Sequence, residues 1–350
     1  MALDLVATAH ALVQADKGIL AADETPGTIG KRFEALGIPS TAATRCAYRE
    51  LLVTAPELQE AISGVILQDE TFRQTTSSGI RFPQALIQRG MLPGIKVDTG
   101  AKPLANAPGE KVTEGLDGLR ERIAEYVELG AHFAKWRAVI TIGDGAPTRA
   151  CIAANAHALA RYAALCQEGG LVPIVEPEVL MDGDHSIDTC FLATIATWRA
   201  VFAELAEQGV ALGAMVLKPS MILPGRDHAI EASVDEIAES TVRGLREVVP
   251  AAVPGIAFLS GGQSPELATH HLQAISASGP QPWQLTFSYG RALQDPALSA
   301  WKGEARNAGH AQAALLHRVS CVSAARSGTY NQAMEVAFAD DSLHLSTAFV

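Results

Sequence analysis

The chain has 350 residues, 48% hydrophobic and 19% charged, an ordinary globular composition. Its net charge of −11 argues against a general nucleic-acid binder, so an anionic ligand would need a local basic cluster set against the global field. The five cysteines form no CxxC or metal-ligand spacing, the N-terminus lacks a basic and then apolar signal pattern, and no stretch approaches the length of a membrane span, so a reduced cytoplasmic protein without a membrane partner is expected.

Short apolar runs alternate with amphipathic ones along the chain. The first predicted strand, Lys17–Ala22, ends in Asp23-Glu24 and leads through Thr25-Pro26-Gly27-Thr28 into a helix carrying Lys31 and Arg32. A capping Thr at a helix start with two basic residues nearby makes a candidate anion site. Predicted strands follow at Gly64–Gln68, which ends in Asp69-Glu70, and at Gly94–Val97, which carries Lys96 and is followed by Asp98. After a predicted helix at Gly118–Glu128, strand His132–Ile140 places Lys135 and Arg137 two apart, on one face. A predicted helix at Thr148–Gln167 precedes strand Leu171–Glu176, which runs into Pro177-Glu178. Helix Ile187–Glu207 precedes strand Gly213–Lys218, closed by Pro219, and helix Val234–Val248 precedes strand Gly255–Ser260, closed by Gly261-Gly262-Gln263. Ser264 caps a helix with Pro265 at its first position, over Pro265–Ala277, and the last strand, Trp283–Ser288, leads into Tyr289-Gly290-Arg291. Patterning weakens from about Ser327, so the expected domain is residues 1–330, with a mobile C-terminal tail at 331–350.

Eight such strand and helix pairs predict a single-domain (β/α)8 TIM barrel. The alternative, a doubly wound open sheet, lacks a GxGxxG after its first strand. In a barrel the catalytic groups come from the C-terminal ends of several strands, and here those ends carry charge almost throughout. Lys218 ends the apolar run Gly213–Leu217; a lysine so placed either snorkels to the surface or serves as an amine whose charged form is disfavoured by desolvation. Neighbouring cations such as Lys96 and Lys135 would reinforce that effect, and active-site lysines are tuned to roughly 7–8 by such surroundings. A neutral amine attacks carbonyl carbon. Burial beside Pro173-Ile174-Val175 would raise the Glu176 carboxyl and nearby lysines would lower it, and the sequence leaves that contest open. Glu178 reads equally as a charge partner for one of the lysines or as a solvated loop acid. Ser260-Gly261-Gly262 and Ser288-Tyr289-Gly290-Arg291 follow strands seven and eight, where these barrels often bind phosphate; glycine lets backbone N–H groups approach an anion and Arg291 offers a forked donor.

Seven segments, GILAADETPGTIGKRF, GIKVDTG, AHFAKWRAVITIG, LVPIVEPEVLMDGDH, VLKPSMILPG, FLSGGQS and LTFSYGRALQ, occur in order between Gly18 and Gln294 and closely resemble class I fructose-bisphosphate aldolases, a similarity that runs from the N-terminal helix to about Tyr330. The resemblance implies a cytoplasmic homotetramer of glycolysis and gluconeogenesis that cleaves a sugar bisphosphate with no metal and no organic cofactor. It makes Lys218 the Schiff-base lysine, Glu176 the principal acid/base, Lys135 the residue that helps bind and dehydrate the carbinolamine, and Asp23 the base at the C4 hydroxyl. Ser260, Gly261, Gly262, Ser288, Gly290 and Arg291 would hold the C1 phosphate. Thr25, Thr28, Arg32 and Lys96 would lie towards the other phosphate, with Arg137 and Glu178 in the same binding site. Thr25 stands where members often have Ser, a mild departure that keeps the hydroxyl. The printed chain closes on Phe349-Val350, so a proton transfer credited to a terminal Tyr in vertebrate-type members would fall to another group. Three rivals remain. A metal-dependent aldolase would need a His cluster, but His270-His271 stand alone in a predicted helix. The others are a different Schiff-base enzyme, such as a transaldolase or a pyridoxal phosphate protein, and a non-catalytic scaffold.

Overall fold

The computed structural model describes residues 4–335. Eight parallel strands close into a barrel: β1 (Gly18–Ala22), β2 (Ile62–Leu67), β3 (Leu92–Lys96), β4 (Phe133–Ile140), β5 (Val172–Val179), β6 (Val216–Leu217), β7 (Gly255–Phe258) and β8 (Gln284–Tyr289). Each strand pairs with its sequence neighbour, and β8 returns to pair with β1. Helices follow the strands and cover the outside, as a parallel sheet requires. The (β/α)8 architecture expected from the sequence is therefore present.

Strand alternation sorts the side chains. Ile19, Ala21, Ile66, Phe133, Ile174 and Val216 form the inner core, while Leu20, Val65, Ala134, Trp136, Val175 and Leu217 join the outer core between strands and helices. The helix Leu5–Leu12 plugs the lower end, with Ala9 and Leu12 packed into that same inner core. Continuing the inner parity upward from Phe133 gives Lys135 and Arg137; from Ile174 it gives Glu176 and Glu178; from Val216 it gives Lys218; from Ala21 it gives Asp23. The period of two that fills the floor with apolar residues thus delivers the charged ones to one mouth.

Two glycines make room for the floor. The Phe133 ring lies over its register partner Gly94, where an added Cβ would come within 2.2 Å of the ring. Phe287 crowds Gly18 in the same manner, at 2.3 Å.

Several boundaries differ from expectation. Sequence patterning places strand six over Gly213–Lys218, but Leu212–Ala214 coil into a 3₁₀ turn and only Val216–Leu217 remain strand. Lys218 still donates its N–H to the Val175 carbonyl at 2.8 Å, so the pairing ends where Pro219 removes the next donor. Strand five runs through Pro177 to Val179, paired along its full length with β4, so Glu178 is a strand residue and not a loop acid. A two-stranded hairpin, Gly100–Pro103 with Lys111–Glu114, was not anticipated. The expectation that no stretch approaches a membrane span fails for Ile187–Glu207, whose 21 residues are long and apolar enough by length and composition. That helix buries Trp198, Val201 and Leu205 in the barrel's outer layer. At the end of the expected domain Tyr330 is buried, takes the Gln273 side-chain oxygen on its N–H and donates its hydroxyl to Glu335, which lies in the expected tail and is also bound by Arg318. The remainder of the tail, residues 336–350, lies outside the described residues.

Candidate active site

A cavity of about 410 Å³ opens at the C-terminal mouth of the barrel. Six basic side chains, Lys31, Arg32, Lys135, Arg137, Lys218 and Arg291, face four carboxylates, Asp23, Glu24, Glu176 and Glu178, across it. This is the local positive excess that an anionic ligand needs in a chain of net charge −11. Other cavities lie between the helices Val234–Val248 and Pro265–Ala277 and at the opposite end around Trp283 and Arg326, away from the strand ends.

At the base of the mouth cavity lie four charged groups, none more than 9% exposed: Asp23, Lys135, Glu176 and Lys218. Glu176 sits between the two lysines. Its Oε1 is 3.3 Å from Lys218 Nζ and its Oε2 is 3.3 Å from Lys135 Nζ. Lys135 Nζ also reaches Asp23 Oδ2 at 2.6 Å. Lys135 thus meets two carboxylates, whereas Lys218 meets one.

Burial alone would raise both acids, but the cations overrule it. Burial pushes Glu176 up, yet Lys135, Lys218 and Arg137 together hold it below the usual carboxylate range. The open contest over Glu176 is decided in favour of the lysines. Burial likewise opposes ionisation of Asp23, and Lys135 and Lys218 hold it well below its ordinary value. Burial works against the Lys135 ammonium, but Asp23, Glu176 and Asp98 keep it far above the ordinary lysine value. The resting site therefore holds two carboxylates ready to accept protons and one lysine, Lys135, fixed as a cation. The 3.3 Å contact of Glu176 Oε2 with Lys135 is an ion pair without hydrogen-bond alignment, so this buried oxygen keeps a lone pair for a proton.

Glu178 pairs with Arg137, not with a lysine as the sequence suggested, and both border the cavity. Lys96 turns its ammonium to the Asp98 carboxylate and backbone carbonyl, and it does not line the cavity. Arg32 does line it, but its guanidinium is held by Glu24 and by Asp295 at 2.7 Å. Glu24 also takes Arg49, a buried partner with no legible sequence signal. Thr25 caps the helix Pro26–Glu34, accepting the Thr28 N–H, and Thr28 faces the cavity.

Opposite, the loop after β7 makes a tight turn. Gln263 N–H closes onto the Ser260 carbonyl at 3.0 Å, with Gly261 and Gly262 both at positive φ, 53° and 86°. Only glycine adopts two such residues in succession without strain. Ser288 is 1% exposed and borders the cavity, and its Oγ has no hydrogen-bond partner among the described residues. The helix Arg291–Trp301 starts beside it, aiming its free N–H groups and positive dipole end at the same spot. Arg291 has no ion pair among the described residues. Of the residues the sequence suggested for a phosphate, Ser260, Gly261, Ser288, Gly290 and Arg291 all border the cavity, whereas Gly262 does not.

As for metals, one group of three potential ligands occurs among the described residues: His317, Cys321 and Glu335. It does not border the cavity, and its Glu335 is already engaged by Arg318 and Tyr330.

The family model for class I fructose-bisphosphate aldolase matches residues 4–349. The chain is 58% identical over 297 residues to a probable class 1 fructose-bisphosphate aldolase of Xylella fastidiosa, covering 85% of this chain and 89% of the relative. It is 48% identical over 344 residues to the cytosolic fructose-bisphosphate aldolase 4 of Arabidopsis thaliana, covering 98% and 88%. A chloroplastic aldolase of Chlamydomonas reinhardtii is also 48% identical, over 332 residues, covering 95% and 88%. Among solved structures, the fructose-bisphosphate aldolase of Plasmodium falciparum, in complex with TRAP and a small-molecule inhibitor, superimposes with a TM-score of 0.92 at 46% identity, covering 93% of this chain and 95% of that one.

Proposed function

This chain belongs to the class I fructose-bisphosphate aldolase family, and from that premise we propose that Lys218 forms its Schiff base while Glu176, Lys135 and Asp23 move the protons. The reaction is the reversible retro-aldol cleavage of fructose 1,6-bisphosphate to dihydroxyacetone phosphate and glyceraldehyde 3-phosphate, through a lysine Schiff base. The observation that carries the assignment is the Glu176 carboxylate set 3.3 Å from each of two buried lysines, only one of which has a second carboxylate.

Before Lys218 attacks, it must shed a proton, and Glu176 Oε1 is the acceptor within reach. The amine then adds to the C2 ketone to give a carbinolamine. Protonated Glu176 returns its proton to the leaving hydroxyl, water departs, and an iminium remains. Lys135, held as an ammonium, supports the developing oxygen charge in that step. Asp23 takes the C4 hydroxyl proton as the C3–C4 bond breaks. The bonding pair flows to the iminium as an enamine, and the aldehyde leaves. Protonation at C3 and hydrolysis release the ketone and regenerate Lys218. Splitting one carbanion-forming step into several iminium steps is what the covalent route supplies.

Ser260, Gly261, Gly262, Ser288, Gly290 and Arg291 receive the C1 phosphate. Thr28 and Lys31 meet the other phosphate, while Thr25 holds the helix start and Arg32 fixes the strand-one loop through Glu24. Arg137, with Glu178, borders the sugar between the two, and Lys96 acts through Asp98. The route needs no metal and no organic cofactor. We assign the chain to the cytoplasm, after its cytosolic plant relatives, and to a homotetramer; exposed Leu192 and Ile230 offer apolar surface for such contacts.

Borohydride reduction in the presence of dihydroxyacetone phosphate, followed by peptide mapping, tests the assignment. The label is expected on Lys218. Label on Lys135 or Lys96, or no label, overturns it.

A further inference from the structure

The loop after β6 brings a second guanidinium, that of Arg226, up to the Gly262 turn, just outside the residues that line the cavity. Arg226 follows Gly225, and that glycine lies so close to the neighbouring loop that an added Cβ would sit 2.2 Å from the Gly183 carbonyl oxygen. Three backbone hydrogen bonds lock the approach. Gly225 N–H donates to the His185 carbonyl, Arg226 N–H to Met181 and Asp227 N–H to Gly183, at 2.7, 2.7 and 2.9 Å. The side chain then runs to Gly262. A Cβ added to Gly262 would lie 2.9 Å from Arg226 Nη2 and 3.5 Å from Arg291 Nη2. Two like charges therefore converge on one face of the glycine turn. Among the described residues the one carboxylate paired with either is Asp182, 3.8 Å from Arg226 in an exposed pair, which is worth little.

Two guanidinium groups on one face of the turn would both attract an anion bound there. Arg291 in turn lines the mouth cavity together with Ser288, whose buried hydroxyl has no hydrogen-bond partner among the described residues. Resting on the aldolase reading above, we propose that Arg226 is a second phosphate-binding arginine at the Gly261-Gly262 turn, acting with Arg291 as a pincer on the C1 phosphate. A phosphate dianion offers three oxygens, enough for the turn N–H groups and for both guanidinium forks. Arg226 holds substrate and takes no part in proton transfer, so its effect falls on binding.

Steady-state kinetics of Arg226→Ala test this, with fructose 1,6-bisphosphate and fructose 1-phosphate as alternative substrates. KM is expected to rise about 10- to 100-fold for both, from loss of one charged hydrogen bond, with kcat within about two-fold. Arg226→Lys should recover part of the loss. Asp182→Ala, which removes the competing carboxylate, should leave KM equal or lower. If KM for both substrates stays within two-fold in a folded Arg226→Ala enzyme while Arg291→Ala raises it, the pincer is wrong and the aldolase reading stands. A rise for the bisphosphate alone would also overturn it, because Arg226 would then serve the other phosphate. Absence of cleavage by the unmodified enzyme would instead remove the reading beneath it.

Discussion

Lys135→Met isolates the electrostatics of the site. The lysine is 3% exposed and touches Asp23 at 2.6 Å and Glu176 at 3.3 Å. Methionine fills much the same volume, so the change is chiefly one of charge. It leaves two buried carboxylates with Lys218 as the largest remaining cationic influence and weaker help from Arg137 and Lys96. Breaking a buried ion pair by removing one partner costs about 3–5 kcal/mol. At roughly 2.1 cal/mol/K of unfolding entropy per residue, the 350-residue chain should lose about 4–7 °C in Tm. The sign of the pH dependence follows from the direction of the shifts. In the unmodified protein Asp23 and Glu176 are depressed, so their stabilisation is present above the ordinary carboxylate range and is lost as pH falls through their folded values. Without Lys135 those folded values rise, the folded state takes up protons, and the deficit of the variant shrinks on acidification. Calorimetry at about pH 8 and about pH 5 reads this directly, with the larger Tm loss expected at the higher pH. A loss below about 1 °C at the higher pH, or an equal loss at both, refutes the account of Lys135 as the cation that keeps both acids ionised. The same variant should lose about 10²- to 10⁴-fold in kcat.

Glu176→Gln removes the proton acceptor beside Lys218; kcat should fall about 10²- to 10⁴-fold and borohydride trapping should slow, with KM changed only a few-fold. Trapping at an unchanged rate would show that another group deprotonates Lys218. Gly94→Ala forces a methyl into the Phe133 ring and should cost about 1–3 kcal/mol by denaturant midpoint. Adding Phe133→Leu should recover part of that loss, since it removes the ring edge the methyl meets; a double variant less stable than the sum of the singles would reject the steric explanation.

The barrel was legible because parallel strands buried on both faces read as short apolar runs, and helices between them read as amphipathic ones. The elements hardest to read were those set by neighbours. The hairpin Gly100–Pro103 with Lys111–Glu114 is short and polar, so no apolar period marks it. The predicted strand ended at Glu176, yet pairing with β4 carries it past Pro177 to Val179, which turns Glu178 inward to Arg137.

For the site, strand-end charges and glycine loops were enough to nominate Lys218, Glu176, Lys135, Asp23 and the phosphate wall, because alternation along a strand is a local property. Which charge pairs with which is not local. Lys96 meeting Asp98, Arg32 meeting Glu24 and Asp295, and Glu176 shared between two lysines depend on distances across the barrel mouth. Those distances also decide the pKa directions, since burial and charge oppose each other and only geometry says which prevails. Arg226 shows the same division: nothing in its sequence surroundings marks it, and only the clamp between its loop and Gly183 brings it to Gly262. The order of residues determined the barrel, its charged mouth and the chemistry available there; the tertiary structure decided which charges meet, because Coulomb and hydrogen-bond energies depend on separations that the chain sets only once it has closed.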